Sequence, residues 1–306
     1  MNFTITDKDH KLVSYSGQAT EVNMVNEPAE IISDCFEGQS WIKFVKLPTC
    51  VKELEDDCFH HCENLTGITL GTRHELTKIG NSAFYGCTKL NYTGIIPDSV
   101  EKIGDNAFRE CQSLTNVWCE ANIQTVPSSC WEGCVSLNDV ELFNAETISG
   151  FAFHNCKNLK AINLPNNLIR IYSQAFLDCE SLTHITIPAK VNYIGTSVFN
   201  GCRSLHTLEF MGDDNSGGLA ICEYAFAGCN ALTEVNFPKN IAEIRRGAFM
   251  NCHNLERVSF GDDRNINILS ECDKIFFGCE KLAEIDFPSF ALKKDLILRK
   301  WVKVDK

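Results

Sequence analysis

One segment recurs eleven times along the chain, and that repetition constrains its fold more than any other feature. Ala83-Phe84 is followed by Cys87 and Leu90, Ala107-Phe108 by Cys111 and Leu114, and Ala175-Phe176 by Cys179 and Leu182. Ala152-Phe153, Ala225-Phe226 and Ala248-Phe249 repeat the unit, and Val198-Phe199 varies it by one residue. Cys58-Phe59 and Cys130-Trp131 are degenerate copies, Cys35-Phe36 opens the array, and Ile275-Phe276 closes it. After the leucine the chain alternates, as in Leu159-Lys160-Ala161-Ile162-Asn163-Leu164-Pro165. Alternation of apolar and polar residues predicts a short strand with one buried face. A second aliphatic lies five residues before most of the aromatics, at Ile79, Ile103, Val126, Ile148, Ile171, Ile194, Ile221 and Ile244. One such strand buries almost nothing alone, so copies must stack into a coil with a parallel sheet on one side. The Ala-Phe-x-x-Cys segment then packs behind that sheet.

The period also accounts for the 17 cysteines. Ten occupy one repeat position, which predicts small buried apolar side chains stacked from coil to coil. Neighbouring thiols would lie about 4.8 Å apart, one strand spacing, too far to bond without moving backbone. The reading is therefore a structural row of thiols, not a disulfide framework.

These residues resemble the BspA-type leucine-rich repeat family. Ile79-Gly80-Asn81-Ser82-Ala83-Phe84 and Ile103-Gly104-Asp105-Asn106-Ala107-Phe108 carry its unit nearly verbatim, and the match runs over about residues 25–288. The resemblance implies an α/β-type leucine-rich repeat solenoid: a right-handed, curved coil of about eleven turns with one parallel sheet face. It implies binding, with adhesion to host proteins or other cells the usual proposal, and no catalytic residues. Three domains are expected. Residues 1–30 form an N-terminal β cap, with a hairpin turning at Asp7-Lys8-Asp9-His10. Residues 31–288 form the solenoid. Residues 289–306 form a C-terminal cap that is a helix or a strand and is basic, six Lys and Arg against two Asp leaving +4.

The net charge of −12 gives no long-range attraction to nucleic acid or anionic membrane. No apolar run is long enough for a membrane span. The N-terminal residues lack the pattern of a signal peptide, which predicts a cytoplasmic location. Display at the cell surface as an adhesin is the alternative reading. A monomer is expected, and neither a cofactor nor a catalytic group.

Two segments could suggest metals. Cys58-Phe59-His60-His61-Cys62 has zinc-type ligands and motivates a distant alternative, a metal-dependent enzyme, but both cysteines fall on inward repeat positions. Gly71-Thr72-Arg73-His74-Glu75, Gly212-Asp213-Asp214-Asn215-Ser216-Gly217-Gly218 and Gly261-Asp262-Asp263-Arg264-Asn265 offer oxygen ligands for calcium. Their spacing fits no EF-hand, and such turns form without metal.

A binding surface is expected where strand residues flanking the buried aliphatic face outward. The candidates are Phe44, Trp118, Asp139, Glu141, Asn163, His184, Glu209, Glu234, Asn236, Arg257, Glu284 and Asp286. Trp118 and Phe44 are aromatics where solvent should be, an anchor signature. The acids favour a basic protein or peptide partner. Packing on neighbouring strands and simple solubility are the competing reading of the same residues.

Overall fold

The computed structural model describes residues 3–69, 75–91, 95–142, 144–212, 218–262, 272–295 and 300–306. The chain is a solenoid of parallel strands with about eleven turns, and helix among the described residues is limited to single turns at Asp34–Phe36 and Cys272–Ile275. It divides into two compact units, one of residues 1–145 with 152–157 and one of residues 146–151 with 158–306. No helix among the described residues is long and apolar enough to cross a membrane. The calcium-type turns fall largely outside the described residues.

In the first unit the alternating segments form the expected parallel strands. Glu21–Asn23, Phe44–Lys46 and Gly67–Thr69 pair in register, as do Ile95–Ile96, Asn116–Cys119 and Asp139–Leu142. The aliphatics five residues before the aromatic form a second parallel sheet, through Ile31–Ile32, Glu53–Leu54, Lys78–Ile79 and Lys102–Ile103. Phe3–Ile5 and Lys11–Tyr15 make an antiparallel hairpin whose second strand pairs with Ile31–Ile32. Each coil thus presents two strands joined by the aromatic turn segment.

The second unit repeats this plan. Its second sheet runs Thr147–Ile148, Arg170–Ile171, Tyr193–Ile194, Leu219–Ile221 and Ile241–Ile244. Its leucine-lane strands include His184–Ile187 with Thr207–Phe210, and Glu234–Phe237 with Arg257–Phe260 and Glu284–Asp286. The last of these pairs antiparallel with Phe290–Asp295, which pairs with Lys300–Asp305. The basic tail is therefore a strand hairpin, the choice that its pattern alone left open.

The core is a set of stacked identical layers. Phe36, Phe59, Phe84 and Phe108 stack with ring centroids 5.1, 5.3 and 5.2 Å apart and planes within 9°. Trp131 continues the stack to Phe153 at 5.2 Å. In the second unit Phe176, Phe199, Phe226 and Phe249 stack at 5.2, 5.2 and 5.1 Å. Such offset stacking adds to burial of the rings themselves.

Two corners bracket the aromatics from Phe59 to Phe249, while Phe36 and Phe276, at the two ends of the array, keep only the second, at Gly38 and Gly278. Residues two before it have positive φ, among them Ser82, Asn106, Gln174 and Ser197, and so do residues two after it, among them Gly86, Gly133, Asn155, Asp178 and Gly201. Left-handed backbone costs an L residue about 1–2 kcal/mol, which explains the Gly, Asn and Asp at the second corner. Backbone hydrogen bonds then tie coil to coil, as from Phe84 N to Ala107 O at 2.8 Å and from Phe199 N to Ala225 O at 2.7 Å.

All seventeen cysteines are free. Those of the repeat position are buried, and along the row, from Cys62 to Cys156 and from Cys202 to Cys279, the thiol donates to the carbonyl of the preceding coil's aromatic. Cys62 Sγ lies 3.0 Å from Phe36 O, Cys111 Sγ 3.2 Å from Phe84 O, Cys202 Sγ 3.4 Å from Phe176 O and Cys252 Sγ 3.2 Å from Phe226 O. The same carbonyls accept their own coil's cysteine N–H, as Phe59 O does from Cys62 at 3.1 Å. The row is thus a polar as well as an apolar fit.

Candidate sheet-face binding surface

Period two places the site. In Asn116–Cys119 and Asp139–Leu142 the residues Val117, Cys119, Val140 and Leu142 are buried, so Trp118, Asp139 and Glu141 project to solvent. Trp118 is 37% exposed and sits in register with Glu141 on the neighbouring strand. Cross-strand partners of this kind stand close enough for side chains to act together on one ligand. Neither Asp139 nor Glu141 forms an ion pair among the described residues. In the third coil the backbone of Ile95–Ile96 pairs with Trp118–Cys119.

Phe44 differs from Trp118. It is half-buried, and its ring lies against Gly67 of the next strand, where an added Cβ would come within 3.1 Å of Phe44 Cε2. It therefore packs on its own sheet more than it projects from it, because glycine leaves the adjacent position open to the ring.

In the second unit Asn163, His184, Glu209 and Asn236 are exposed. Glu209 lies 3.5 Å from Thr186 Oγ1. Glu234 accepts hydrogen bonds from Arg257 Nη2 at 2.6 Å and from Asn236 Nδ2 at 2.8 Å. The Arg257 guanidinium is the main reason that the Glu234 carboxyl is held below its ordinary range, with Asn236 next. Asn236 in turn accepts a hydrogen bond from Ser259. Glu284 lies 3.6 Å from Lys293 Nζ, and Asp286 lies 3.0 Å from Lys306 Nζ. The acids at this end are therefore already met by cations of the chain, two of them from the tail hairpin. The candidate residues are not one uniformly acidic surface: the acids of the first unit are open, and several of the second are answered internally.

Sequence reasoning could not assign the pairs of Glu284 and Asp286, because they depend on the tail folding back antiparallel. The excess of lysine in residues 289–306 was the available signal. The zinc-type segment does not converge. Cys58 and Cys62 point inward to the carbonyls of Ala83 and Phe36, while the His60 ring meets Glu37 at 3.4 Å and packs with His61 and Tyr85. Among the described residues no group of three His, Cys, Asp or Glu side chains is placed to hold a metal ion.

Comparison with known proteins adds a family and a fold. The repeat family described as a BspA type leucine rich repeat region, in six copies, matches residues 29–146, 126–218 and 215–294. Among solved structures, the pneumococcal vaccine antigen PcpA is similar at 17% identity and a TM-score of 0.57, covering 93% of this chain and 84% of that one. A leucine rich cell surface protein from Faecalibacterium prausnitzii is similar at 21% identity and a TM-score of 0.47, covering 94% and 92% of the two chains. A leucine-rich repeat protein from Bacteroides ovatus is similar at 20% identity and a TM-score of 0.44, covering 93% and 92%. No curated protein matches the sequence.

Proposed function

The chain belongs to the BspA-type leucine-rich repeat family, and from that premise we propose that it is a non-catalytic scaffold that binds a protein or peptide ligand on the outward face of its leucine-lane strands. Repeat coils of this kind offer an extended, rigid surface whose outward residues vary while the core stays fixed. The observation that carries the reading is Trp118. It is an amphipathic aromatic at a solvent-facing strand position, flanked by Asp139 and Glu141 on the paired strand. An aromatic beside open carboxylates suits a ligand that pairs an apolar side chain with Lys or Arg: the ring packs on the apolar part or stacks under the cation, and the acids fix its charge.

The test uses the intact chain and a panel of short peptides combining an aromatic or aliphatic residue with Arg or Lys, measured by calorimetry. Trp118→Ala and Glu141→Ala should each weaken binding by about tenfold or more, the loss typical of an anchor residue. The Glu141 effect should shrink as salt rises. Equal affinity of both variants and the parent chain would remove this surface from consideration.

A further inference from the structure

The second unit shows what the acids of an outward lane accept. Glu234 and Arg257 are register partners on neighbouring strands, and the guanidinium reaches one carboxylate oxygen through Nη2 at 2.6 Å and Nε at 3.1 Å. Glu284 and Asp286 stand two residues apart on one strand, and each meets a lysine of the tail hairpin. Lys293, the register partner of Glu284 on the antiparallel strand, lies 3.6 Å from it, and Lys306 lies 3.0 Å from Asp286. Within this chain, then, a pair of lane acids at i and i+2 is answered by two cations.

Asp139 and Glu141 form the same i, i+2 pair in the first unit. Both are exposed, and no cation among the described residues meets either. Their positions on the strand put them roughly 6.6 Å apart, close enough for like charges to repel. The two ends of the pair have different neighbours. Trp118 is the register partner of Glu141, and Asn116 is the register partner of Asp139. Asn116 Nδ2 donates to Thr115 Oγ1 at 3.3 Å, which leaves its amide carbonyl open. A cation at Glu141 therefore meets a carboxylate and an indole face, whereas one at Asp139 meets a carboxylate and an amide oxygen. The first setting suits arginine, whose flat guanidinium stacks on an aromatic ring and forks onto a carboxylate. Lysine carries a compact, strongly hydrated charge that gives up more water to lie against a ring.

Resting on the sheet-face reading, we propose that this site takes an extended peptide segment with arginine at one position and a second basic residue two positions away. The arginine lies on Trp118 and Glu141, and the second cation lies at Asp139 and Asn116. In extended backbone residues i and i+2 point to one side at the interval of the two carboxylates. Adjacent basic residues point to opposite sides, so one of them turns away from the sheet. A helical ligand does not fit, because its residues i and i+2 do not share a face.

The chain has four tryptophans, so nitrogen-15 labelling of the indoles gives a simple spectrum, with Trp118 assigned through Trp118→Phe. The probes are acetyl-Ser-Arg-Val-Arg-Ser-amide, its rearrangement acetyl-Ser-Arg-Arg-Val-Ser-amide, and acetyl-Ser-Lys-Val-Lys-Ser-amide, titrated into the full-length chain. All carry the same charge. The expected result is a saturable shift of the Trp118 indole with the first peptide. Affinity should be about tenfold weaker for the rearranged peptide, the size of effect expected when one of two charge contacts is lost. The lysine peptide should also bind more weakly than the first. Asp139→Asn should bring the two arginine peptides to equal affinity and leave the melting temperature unchanged, since Asp139 is exposed. Equal affinity of the two arginine peptides for the parent chain, with both weakened by Glu141→Ala, would overturn this proposal and leave the sheet-face reading standing. No Trp118 shift with any peptide, or binding that Glu141→Ala does not weaken, would overturn both.

Discussion

At the scale of the residue, the repeated cysteine does two things at once. It fills a buried position of fixed size, and its S–H reaches the aromatic's carbonyl one coil earlier, as Cys87 Sγ does to Phe59 O at 3.0 Å. The burial has a consequence for pH. It pushes the thiols up from the ordinary value of 9.0: Cys62 to about 12, Cys119 to about 11, and Cys111 and Cys202 well above 9.0. Raised folded values mean that stability is fully present below pH 9 and falls as pH climbs through the folded values, because the unfolded chain ionises first. Each such thiol should contribute a loss of about 1.4 kcal/mol per pH unit above 9. Many thiols act in parallel, so urea midpoints at pH 8, 9 and 10 should drop steeply, and Cys134→Ala should flatten the drop. A midpoint constant over that range would contradict it. The position of the cysteines was legible because the coil repeats them. Their carbonyl partners were not, because a hydrogen bond between residues about 26 apart leaves no local pattern.

At the scale of the element, the second sheet rests on backbone approach as much as on its aliphatics. An added Cβ on Gly104 would lie 2.4 Å from Asn81 N and 2.6 Å from Gly80 C, and one on Gly80 would lie 2.4 Å from Asp56 N. Successive coils touch here by main chain, which is why glycine follows isoleucine in Ile79-Gly80 and Ile103-Gly104. Gly104→Ala should therefore cost about 2–3 kcal/mol through forced backbone displacement, read as a lower urea midpoint. Gly212→Ala is the control for added side chain alone, since nothing lies within 4 Å of its Cβ; its positive φ, +62°, should still cost about 1 kcal/mol. The Leu-x-x-Ile-x-Leu strands were readable because three to four residues suffice to show alternation. The second sheet was visible only as a lane of aliphatics, since a strand of two residues such as Lys102–Ile103 is too short to show a period. The left-handed corners went unread for a related reason: Phe151, Gln174 and Tyr224 occupy the first corner without being turn formers.

At the scale of the whole molecule, the tail hairpin links charge to pairing. Phe290, Ala291 and Leu292 are buried, and Phe290 stacks on Phe287 at 4.4 Å, so the hairpin extends the apolar layers and covers the edge of Glu284–Asp286. Lys306 Nζ also donates to Phe287 O at 2.6 Å. A chain ending at residue 288 should lose this cover and expose an unpaired strand edge. Its expected behaviour is a lower melting temperature and concentration-dependent association in light scattering; a monomer as stable as the full chain would refute that role. Of the candidate site, the outward lanes and Trp118 were legible from alternation. The division into open and internally paired acids was not, because it is set by where the tail's lysines land.

The backbone bonds that join coil to coil point along the stack instead of around each turn, and this sets how the protein yields to force. Tension applied between the ends of either unit loads those bonds a coil at a time, like a zipper and not like a cable. Each coil of about 23 residues would pay out roughly 80 Å of slack chain, so extension should proceed in evenly spaced steps, with the coils still closed keeping their outward faces intact.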